Sequence, residues 1–156
     1  MNLSLQLAKH FREAYFGGNW TSVNLKEVIT DISWQDATKK INSFNTILAL
    51  VYHMNYYVKA VNKVLQGGIL DAKDQFSFDH PVVRSKGECD NLLNIAWSEA
   101  QTFAGLVEQL PDSKLWETFS DEKYGNYLRN ILGVTEHVHY HLGQIVILKK
   151  ILSENK

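Results

Sequence analysis

The chain has 156 residues, of which 45% are hydrophobic and 21% charged, a composition that excludes a disordered protein and predicts one globular domain over residues 1–156. The 16 basic and 17 acidic residues leave a formal net charge of −1 and form no basic block, so we expect no nucleic-acid partner. No stretch has the roughly 18–20 apolar residues of a membrane span, so we expect no membrane partner.

Helical periodicity dominates the chain from its start. Apolar residues over 3–16 recur with a spacing closer to that of a helix than to that of a strand, and Gly17-Gly18-Asn19 follows with residues that tolerate a positive φ. The same criteria predict, in chain order, helices over 3–16, 24–32, 42–66, 88–110 and from between 124 and 130 to 152, with a capping signal at 33–36.

Two irregular segments interrupt this pattern. Residues 69–87 mix polar, aromatic and proline residues without a period, which indicates a long crossover lying over the helices, and residues 112–124 form a second connection. No segment alternates with a period of two. The sequence therefore predicts an all-α fold, an antiparallel four-helix bundle with long crossover connections.

The last predicted helix carries a histidine pair on its apolar face. With about 100° per residue, His141 lies about 40° from His137 and one turn further along. The stripe around them is apolar, so both rings are expected to face the core of the bundle. His139 points about 200° away from His137 and is expected at the surface or at an oligomer interface.

A third histidine occupies the same kind of position on another long helix. His53 shares its face with Ala49, Leu50 and Val64, so it too is expected to point inward. A single core histidine is most often explained by a hydrogen bond to a neighbour, and an H-x-x-x-H pair can arise by chance. Three inward imidazoles on two helices favour one shared explanation, a metal ion.

Three imidazoles suit Zn²⁺, Ni²⁺, Cu²⁺ or Fe²⁺ and are poor ligands for Mg²⁺ or Ca²⁺. Three protein ligands also leave a coordination position open, as in a reactive site. Glu136 precedes His137 but lies about 100° from it, so this is not the H-E-x-x-H arrangement with its general base. The sequence identifies no proton acceptor for a hydrolytic reaction.

Other polar residues are assigned more ordinary roles. Cys89 is expected to be a buried, inert thiol, because Glu88 and Asp90 oppose thiolate formation. One cysteine allows no internal disulfide and the opening residues lack a signal-peptide pattern, so the predicted location is cytoplasmic. His10 and His80 are read as surface or loop residues. Wheel position alone suggests Gln144 and Tyr57 as residues that orient the histidines.

Several motifs resemble the DinB/YfiT-like superfamily. They are Asn45-Thr46-Ile47 ahead of His53, the His137-x-x-x-His141-Leu-Gly-Gln-Ile run, and the phrases FGGNW (16–20), KDQFSFDHP (73–81) and KYGNYLRNILGVTEHVHYHLGQI (123–145). These three phrases resemble one branch of the superfamily, a group of small bacterial proteins of unassigned function. The resemblance covers nearly the whole chain and is most specific in the last helix.

This resemblance implies a four-helix bundle of the DinB/YfiT-like type, a homodimer, and a metal held by His53, His137 and His141. We expect that metal to be a divalent transition metal, Zn²⁺ or Ni²⁺. Relatives in the superfamily include thiol-dependent S-transferases and isomerases that use low-molecular-weight thiols, and others labelled metal-dependent hydrolases. Because function belongs to a site and not to a fold, the reaction does not carry over with the fold.

Four functions remain open at this point. The first is a metal-dependent transferase that joins a low-molecular-weight thiol to a small-molecule substrate, and the second is metal-dependent hydrolysis. The third is a non-catalytic protein whose metal supports the fold. The fourth has no metal, and its core histidines are simply hydrogen-bonded. The pocket is expected to be shaped by residues 69–87 and 112–124.

Overall fold

The computed structural model describes residues 2–154, and this part of the chain is helical without any β-strand. Six α-helices follow in order: α1 Leu3–Phe16, α2 Leu25–Thr30, α3 Trp34–Thr38, α4 Ile47–Leu65, α5 Lys86–Glu108 and α6 Tyr127–Glu154. Short 3₁₀ helices cover Asp74–Phe76, Asp112–Trp116 and Glu122–Tyr124. The all-α prediction is confirmed.

The first helix has the predicted bounds, for local reasons. The side chain of Asn2 accepts a hydrogen bond from the Leu5 backbone N–H at 2.9 Å and so caps the first turn. Gly17 follows the helix with a φ of 107°, a conformation that side-chain-bearing residues rarely adopt. The capping signal at 33–36 is also confirmed, because Ser33 Oγ accepts from the Asp36 N–H at 3.1 Å.

The fourth helix begins later than the sequence pattern indicated. Asn42 has a φ of 48°, which is incompatible with a right-handed helix, and the chain turns there instead. Thr46 then caps α4, its Oγ1 accepting from the Ala49 N–H at 3.1 Å. The predicted start near residue 42 is therefore wrong by about one helical turn.

The four long helices enclose one hydrophobic core, in which α1 and α4 both pack against α5 and α6. Arg12, in the second half of α1, pairs with Glu108 at the end of α5 at 2.7 Å. Tyr15, further along α1, packs edge-on with Trp97, their ring centroids 6.3 Å apart. These contacts make α1 and α5 antiparallel. The described helices include none long and apolar enough to cross a membrane.

The directions of α4 and α5 correct the sequence prediction. Leu48 packs with Cys89 near the start of both helices. Further along the two helices, Nδ2 of Asn62 donates a hydrogen bond to the Glu99 carbonyl at 3.0 Å. These two helices therefore run parallel, and a uniformly antiparallel bundle is wrong for this pair. The long crossover at 66–85 explains the difference, because it carries the chain back to the end from which α4 started.

The second connection, residues 112–124, is bonded to the start of α1. Its residue Asp112 accepts hydrogen bonds from the backbone N–H groups of Leu3 at 2.9 Å and of Ser4 at 3.0 Å. These bonds satisfy donors in the first turn of α1 and lower the pKa of the Asp112 carboxyl. Residues 112–124 thus act as a structural tie to α1.

Candidate metal centre

Helices α4 and α6 place three imidazoles around one point. His53 comes from α4 and His137 and His141 from α6, and their candidate ligand nitrogens all lie within 4.8 Å of one another. The Nε2 atom of His137 is 3.1 Å from Nε2 of His53 and 2.9 Å from Nε2 of His141. His53 and His141 are each only 7% exposed, so these polar rings lie inside the protein.

Hydrogen bonds cannot satisfy all the imidazole nitrogens of the three histidines at once. Nδ1 of His141 donates to Gln144 Oε1 at 2.7 Å, so in the neutral ring Nε2 of His141 carries a lone pair. His137 Nε2 can donate one proton, to His53 or to His141 but not to both. His53 Nδ1 is buried and has no hydrogen-bond partner. Hydrogen bonding among the histidines therefore does not account for the arrangement.

Burial and proximity keep the three rings neutral. Burial, followed by the neighbouring His141 and His53, lowers the pKa of His137 to about 4. Burial and His141 also lower the pKa of His53, while Asp74 and the Ser77 carbonyl oppose that change. The Ser77 carbonyl nevertheless does not form a hydrogen bond of acceptable geometry with Nδ1 of His53, which has no partner. Neutral imidazole is the form that binds a metal.

The donor set and its spacing fit a divalent transition metal. Metal-to-nitrogen bonds of about 2.0–2.1 Å place neighbouring ligand nitrogens roughly 3 Å apart. The Nε2 atom of His137 lies at similar distances from those of His53 and His141, 3.1 and 2.9 Å. The contact from His141 to Gln144 supplies the outer hydrogen bond that ligating histidines usually make. The three histidines could therefore hold a metal ion.

Aromatic rings enclose one side of the cluster. Phe78 from the crossover stacks on His53 with the ring centroids 3.9 Å apart and the planes 7° from parallel. Tyr57 presents an edge to both His53 and His137, with ring centroids 5.2 Å apart in each case. Tyr140 packs against His141. These contacts limit the rotation of the imidazoles and restrict access by water.

The crossover also brings a carboxylate to the site. The hydroxyl of Tyr57 donates to Asp74, and Ser77 Oγ lies 3.5 Å from the same oxygen. Burial and this bond to Asp74 raise the pKa of Tyr57 to about 12. Tyr56 holds the neighbouring residue, since its hydroxyl donates to the Lys73 carbonyl at 3.0 Å and accepts from the Lys73 N–H at 2.8 Å.

A cavity of about 440 Å³ opens beside the histidines between α4 and α6. Its lining consists of His53, Tyr57, Val61, Asp74, Arg129, Asn130, Gly133, Val134 and His137. The crossover contributes Asp74, as expected for residues 69–87. Residues 112–124 line no part of this cavity, so that half of the expectation is wrong. A small molecule in the cavity would contact His53 and His137 directly.

Sequence reasoning missed several of these neighbours. Asp74 and Phe78 lie in the aperiodic crossover, and nothing in its pattern indicated contact with the histidines. Gln144 occupies the position its place on the helical wheel suggested, and Tyr57 contacts two rings without a hydrogen bond to either. The i, i+3 spacing from His141 to Gln144 is the one signal that was available.

The remaining histidines and the cysteine lie outside the cluster. His10 and His139 stack on each other with ring centroids 5.7 Å apart, a pairing that was not predicted for His10. His80 Nδ1 lies 2.8 Å from the Pro81 carbonyl. Cys89 is buried, which raises the pKa of its thiol, so the prediction of a buried thiol is confirmed.

Comparisons with protein families, with characterised proteins and with solved structures find no match for this chain. Fold and site together define a broad class: an all-helical protein with three clustered histidines that could hold a metal ion. The DinB/YfiT-like resemblance rests on the sequence motifs alone and stays a prediction.

Proposed function

We propose that this chain is a DinB/YfiT-like four-helix-bundle metalloenzyme that transfers a low-molecular-weight thiol to a small electrophilic substrate. His53, His137 and His141 hold the metal, Zn²⁺ or Ni²⁺. The convergence of their Nε2 atoms beside an open cavity is the observation that carries the proposal. Three protein ligands leave room for one more, which is the arrangement of a catalytic centre and not of a closed structural one.

When bound, the metal supplies a Lewis acid that lowers the pKa of a thiol or of a water molecule. The chain provides the rest. Gln144 orients His141 through its hydrogen bond, and Phe78 and Tyr57 exclude water from one side. The thiol sulfur attacks the electrophilic carbon, so that a carbon–sulfur bond forms, the leaving group departs with its electron pair, and the thiol proton passes to solvent.

Metal content is the first test. Tag-free protein purified without a nickel column should contain close to one equivalent of metal by mass spectrometry. His137→Ala should contain little, and the matched variant His139→Ala, altered on the same helix but outside the cluster, should match the wild type. Wild-type protein that stays metal-free after incubation with zinc or nickel would refute the proposal.

Thiol transfer is the second test. Metal-loaded wild type should accelerate the reaction of cysteine with a chlorodinitrobenzene, releasing chloride, and removal of the metal should abolish the acceleration. His137→Ala should be inactive, while His139→Ala should retain the activity. Activity that persists in metal-free protein would exclude this mechanism. A bound metal without turnover of any thiol substrate would instead support the non-catalytic role.

Hydrolysis is a second candidate because the structure brings Asp74 to the cavity. This carboxylate influences the pKa of His53 and accepts a hydrogen bond from Tyr57. It is therefore a candidate proton acceptor for an attacking water, the group that the sequence did not identify. Metal-dependent ester or amide hydrolysis that Asp74→Asn reduces about 100-fold or more would favour this candidate over thiol transfer.

A homodimer and a cytoplasmic location complete the proposal. Tyr140 and Ile147 lie seven residues apart on α6 and are 65% and 59% exposed, so they form an apolar face suited to a second copy of the chain. Light scattering of the purified protein should give twice the mass of the 17.9 kDa chain. A monomer at micromolar concentration would refute this part of the proposal without affecting the metal site.

A further inference from the structure

Arg129 is the one lysine or arginine that lines the cavity beside the histidines, and its guanidinium has no acidic or hydrogen-bonding partner among the lining residues. Arg129 lines the cavity together with His53 and His137. The ion pairs and side-chain hydrogen bonds of the described residues do not include its guanidinium group. Asp74 is the one acidic residue in the lining, and it is bonded to Tyr57.

The position of Arg129 is built into the start of α6. Its backbone N–H donates to Asn126 Oδ1 at 2.9 Å, which caps the first turn. Asn130 Nδ2 donates to the carbonyls of Tyr124 and Asn126 at 3.0 and 2.8 Å and ties the same turn to the preceding connection. These bonds give the backbone that carries Arg129 a fixed place at the cavity.

A glycine makes room for the side chain itself. The Cδ atom of Arg129 would lie only 3.0 Å from a Cβ added to Gly125, so the aliphatic part of the arginine packs where a side chain would stand. Gly125 has a φ of 74°, which also favours glycine. Arg129 therefore extends towards the N-terminal end of α6, the usual direction for a helical side chain.

The spacing between Arg129 and the histidines determines how long a ligand must be to contact both. Arg129 and His137 are eight residues apart on α6, or about 12 Å along the helix axis. Along the part of α6 that lines the cavity, Gly133 and Val134 lie between Arg129 and His137. A guanidinium prefers carboxylate or phosphate oxygens, which it can bind with two parallel hydrogen bonds.

We infer that Arg129 forms an anion-binding subsite that selects ligands with a thiol or another metal-binding group at one end and a carboxylate or phosphate at the other. This inference rests on the proposed function, because it assigns a substrate class to the same site. Arg129 is a specificity-determining residue here and takes no part in the transfer step. The anionic group can belong to the thiol or to the electrophile, since either could extend along the cavity.

The test compares 6-mercaptohexanoate with 6-mercaptohexanol, which differ in the terminal carboxylate. Calorimetric titration of zinc-loaded protein should show the carboxylate compound binding about tenfold more tightly. Arg129→Gln should bring the two affinities together by weakening only 6-mercaptohexanoate. Lys150→Gln, which makes the same charge change further along α6, should keep the tenfold ratio. Added salt should reduce the ratio in the wild type, because it screens the ion pair.

Two further experiments test the length of the ligand and which of the two reactants carries the anionic group. The short 3-mercaptopropionate should gain little over 3-mercaptopropanol, because its carboxylate cannot reach Arg129 while its sulfur is at the histidines. Kinetics with a neutral thiol and a carboxylate-bearing electrophile, and then the reverse combination, identify which reactant uses the subsite. The KM that Arg129→Gln raises belongs to that reactant.

The outcomes distinguish this inference from the proposed function. Equal affinities for the two long thiols in wild type, or a tenfold ratio that survives in Arg129→Gln, would overturn the anion subsite and leave the metal site intact. If the protein takes up no zinc, metal-free protein should still prefer hexanoate over hexanol, and Arg129→Gln should remove that preference. That result would keep the subsite and refute the metal function, whereas no preference would refute both.

Discussion

The imidazole of His141 donates from Nδ1 to Oε1 of Gln144, one helical turn further along α6, at 2.7 Å. This bond selects the ring tautomer whose Nε2 lone pair faces His137 and His53. It also opposes the effect of burial, which lowers the pKa of His141. The role of Gln144 follows from its contact with one ring and not from any contact with the ligand cavity.

Gln144→Leu should weaken zinc binding by about 10–100-fold, because His141 loses the partner that orients it. Competition with a chromophoric chelator measures the affinity. Gln101→Leu, at a solvent-exposed position on α5, is the control and should bind zinc as the wild type does. Equal affinities for Gln144→Leu and the wild type would mean that the hydrogen bond has no part in metal binding.

The stability of metal-free protein should fall as the pH drops from about 6.5 to about 4. Burial, followed by His141 and His53, lowers the pKa of His137 to about 4, below the value of about 6.5 in an unfolded chain. Between these values the unfolded state binds more protons, so acid favours unfolding. The lowered pKa values of His53 and His141 act in the same direction.

Urea unfolding in the presence of a chelator, at about pH 7.5, 6 and 5, measures this dependence. His137→Gln should flatten it, since the glutamine cannot be protonated in this range. His139→Gln is the matched control and should retain the wild-type slope. A wild-type protein whose stability is constant across these pH values would contradict the assignment of three neutral histidines.

Helix α6 contains two glycines, Gly133 at the cavity and Gly143 outside it. A Cβ added at Gly133 or at Gly143 would contact nothing within 4 Å, and only Gly133 lines the cavity. Alanine at either position should stabilise the protein by about 0.5–1 kcal/mol, because glycine loses more backbone entropy on folding. Thermal unfolding checks this, and a loss of stability at either position would contradict it.

Substitution by leucine should affect ligand binding at Gly133 and not at Gly143. Gly133→Leu should fill the space between the histidines and Arg129 and reduce the binding of 6-mercaptohexanoate more than tenfold, while zinc content stays unchanged. Gly143→Leu should leave both properties at wild-type values. If Gly133→Leu binds the thiol normally, this cavity is not the ligand site.

The crossover should depend on Tyr56 for its order. Its hydroxyl makes two hydrogen bonds to the backbone of Lys73, so Tyr56→Phe should lose about 0.5–1.5 kcal/mol for each bond and increase amide exchange near Lys73. Tyr57→Phe is a useful contrast, because it releases the Asp74 side chain and not the backbone. Exchange that is unchanged in Tyr56→Phe would show that other contacts hold the segment.

Local rules account for what could be predicted. The bounds Leu3–Phe16 follow from periodicity and from a cap and a glycine next to the helix, all of which are short-range features. The pairing of His137 with His141 follows from the helical repeat, and the inward direction of His53 follows from its apolar neighbours on the same face. These inferences needed no knowledge of which helices touch.

The start of α4 shows where local rules fail. The apolar pattern extends back to Ile41 and suggested a helix from about residue 42, yet Asn42 adopts a left-handed conformation. Asparagine tolerates this conformation better than most residues, and Thr46 offers a good cap four residues later. Two competing start positions were thus available, and the pattern alone did not distinguish them.

The sequence by itself determined the approximate positions of the four long helices, the absence of strands in residues 2–154, and the apolar faces on which His53, His137 and His141 lie, because each depends on residues within a few turns. Only the tertiary structure decided that α4 and α5 run parallel, that Phe78 stacks on His53, and that Asp74 and Arg129 line the cavity beside the histidines. These relationships join segments far apart in the chain. They depend on the path of an aperiodic crossover, which long-range hydrogen bonds to Tyr56 and Tyr57 hold in place.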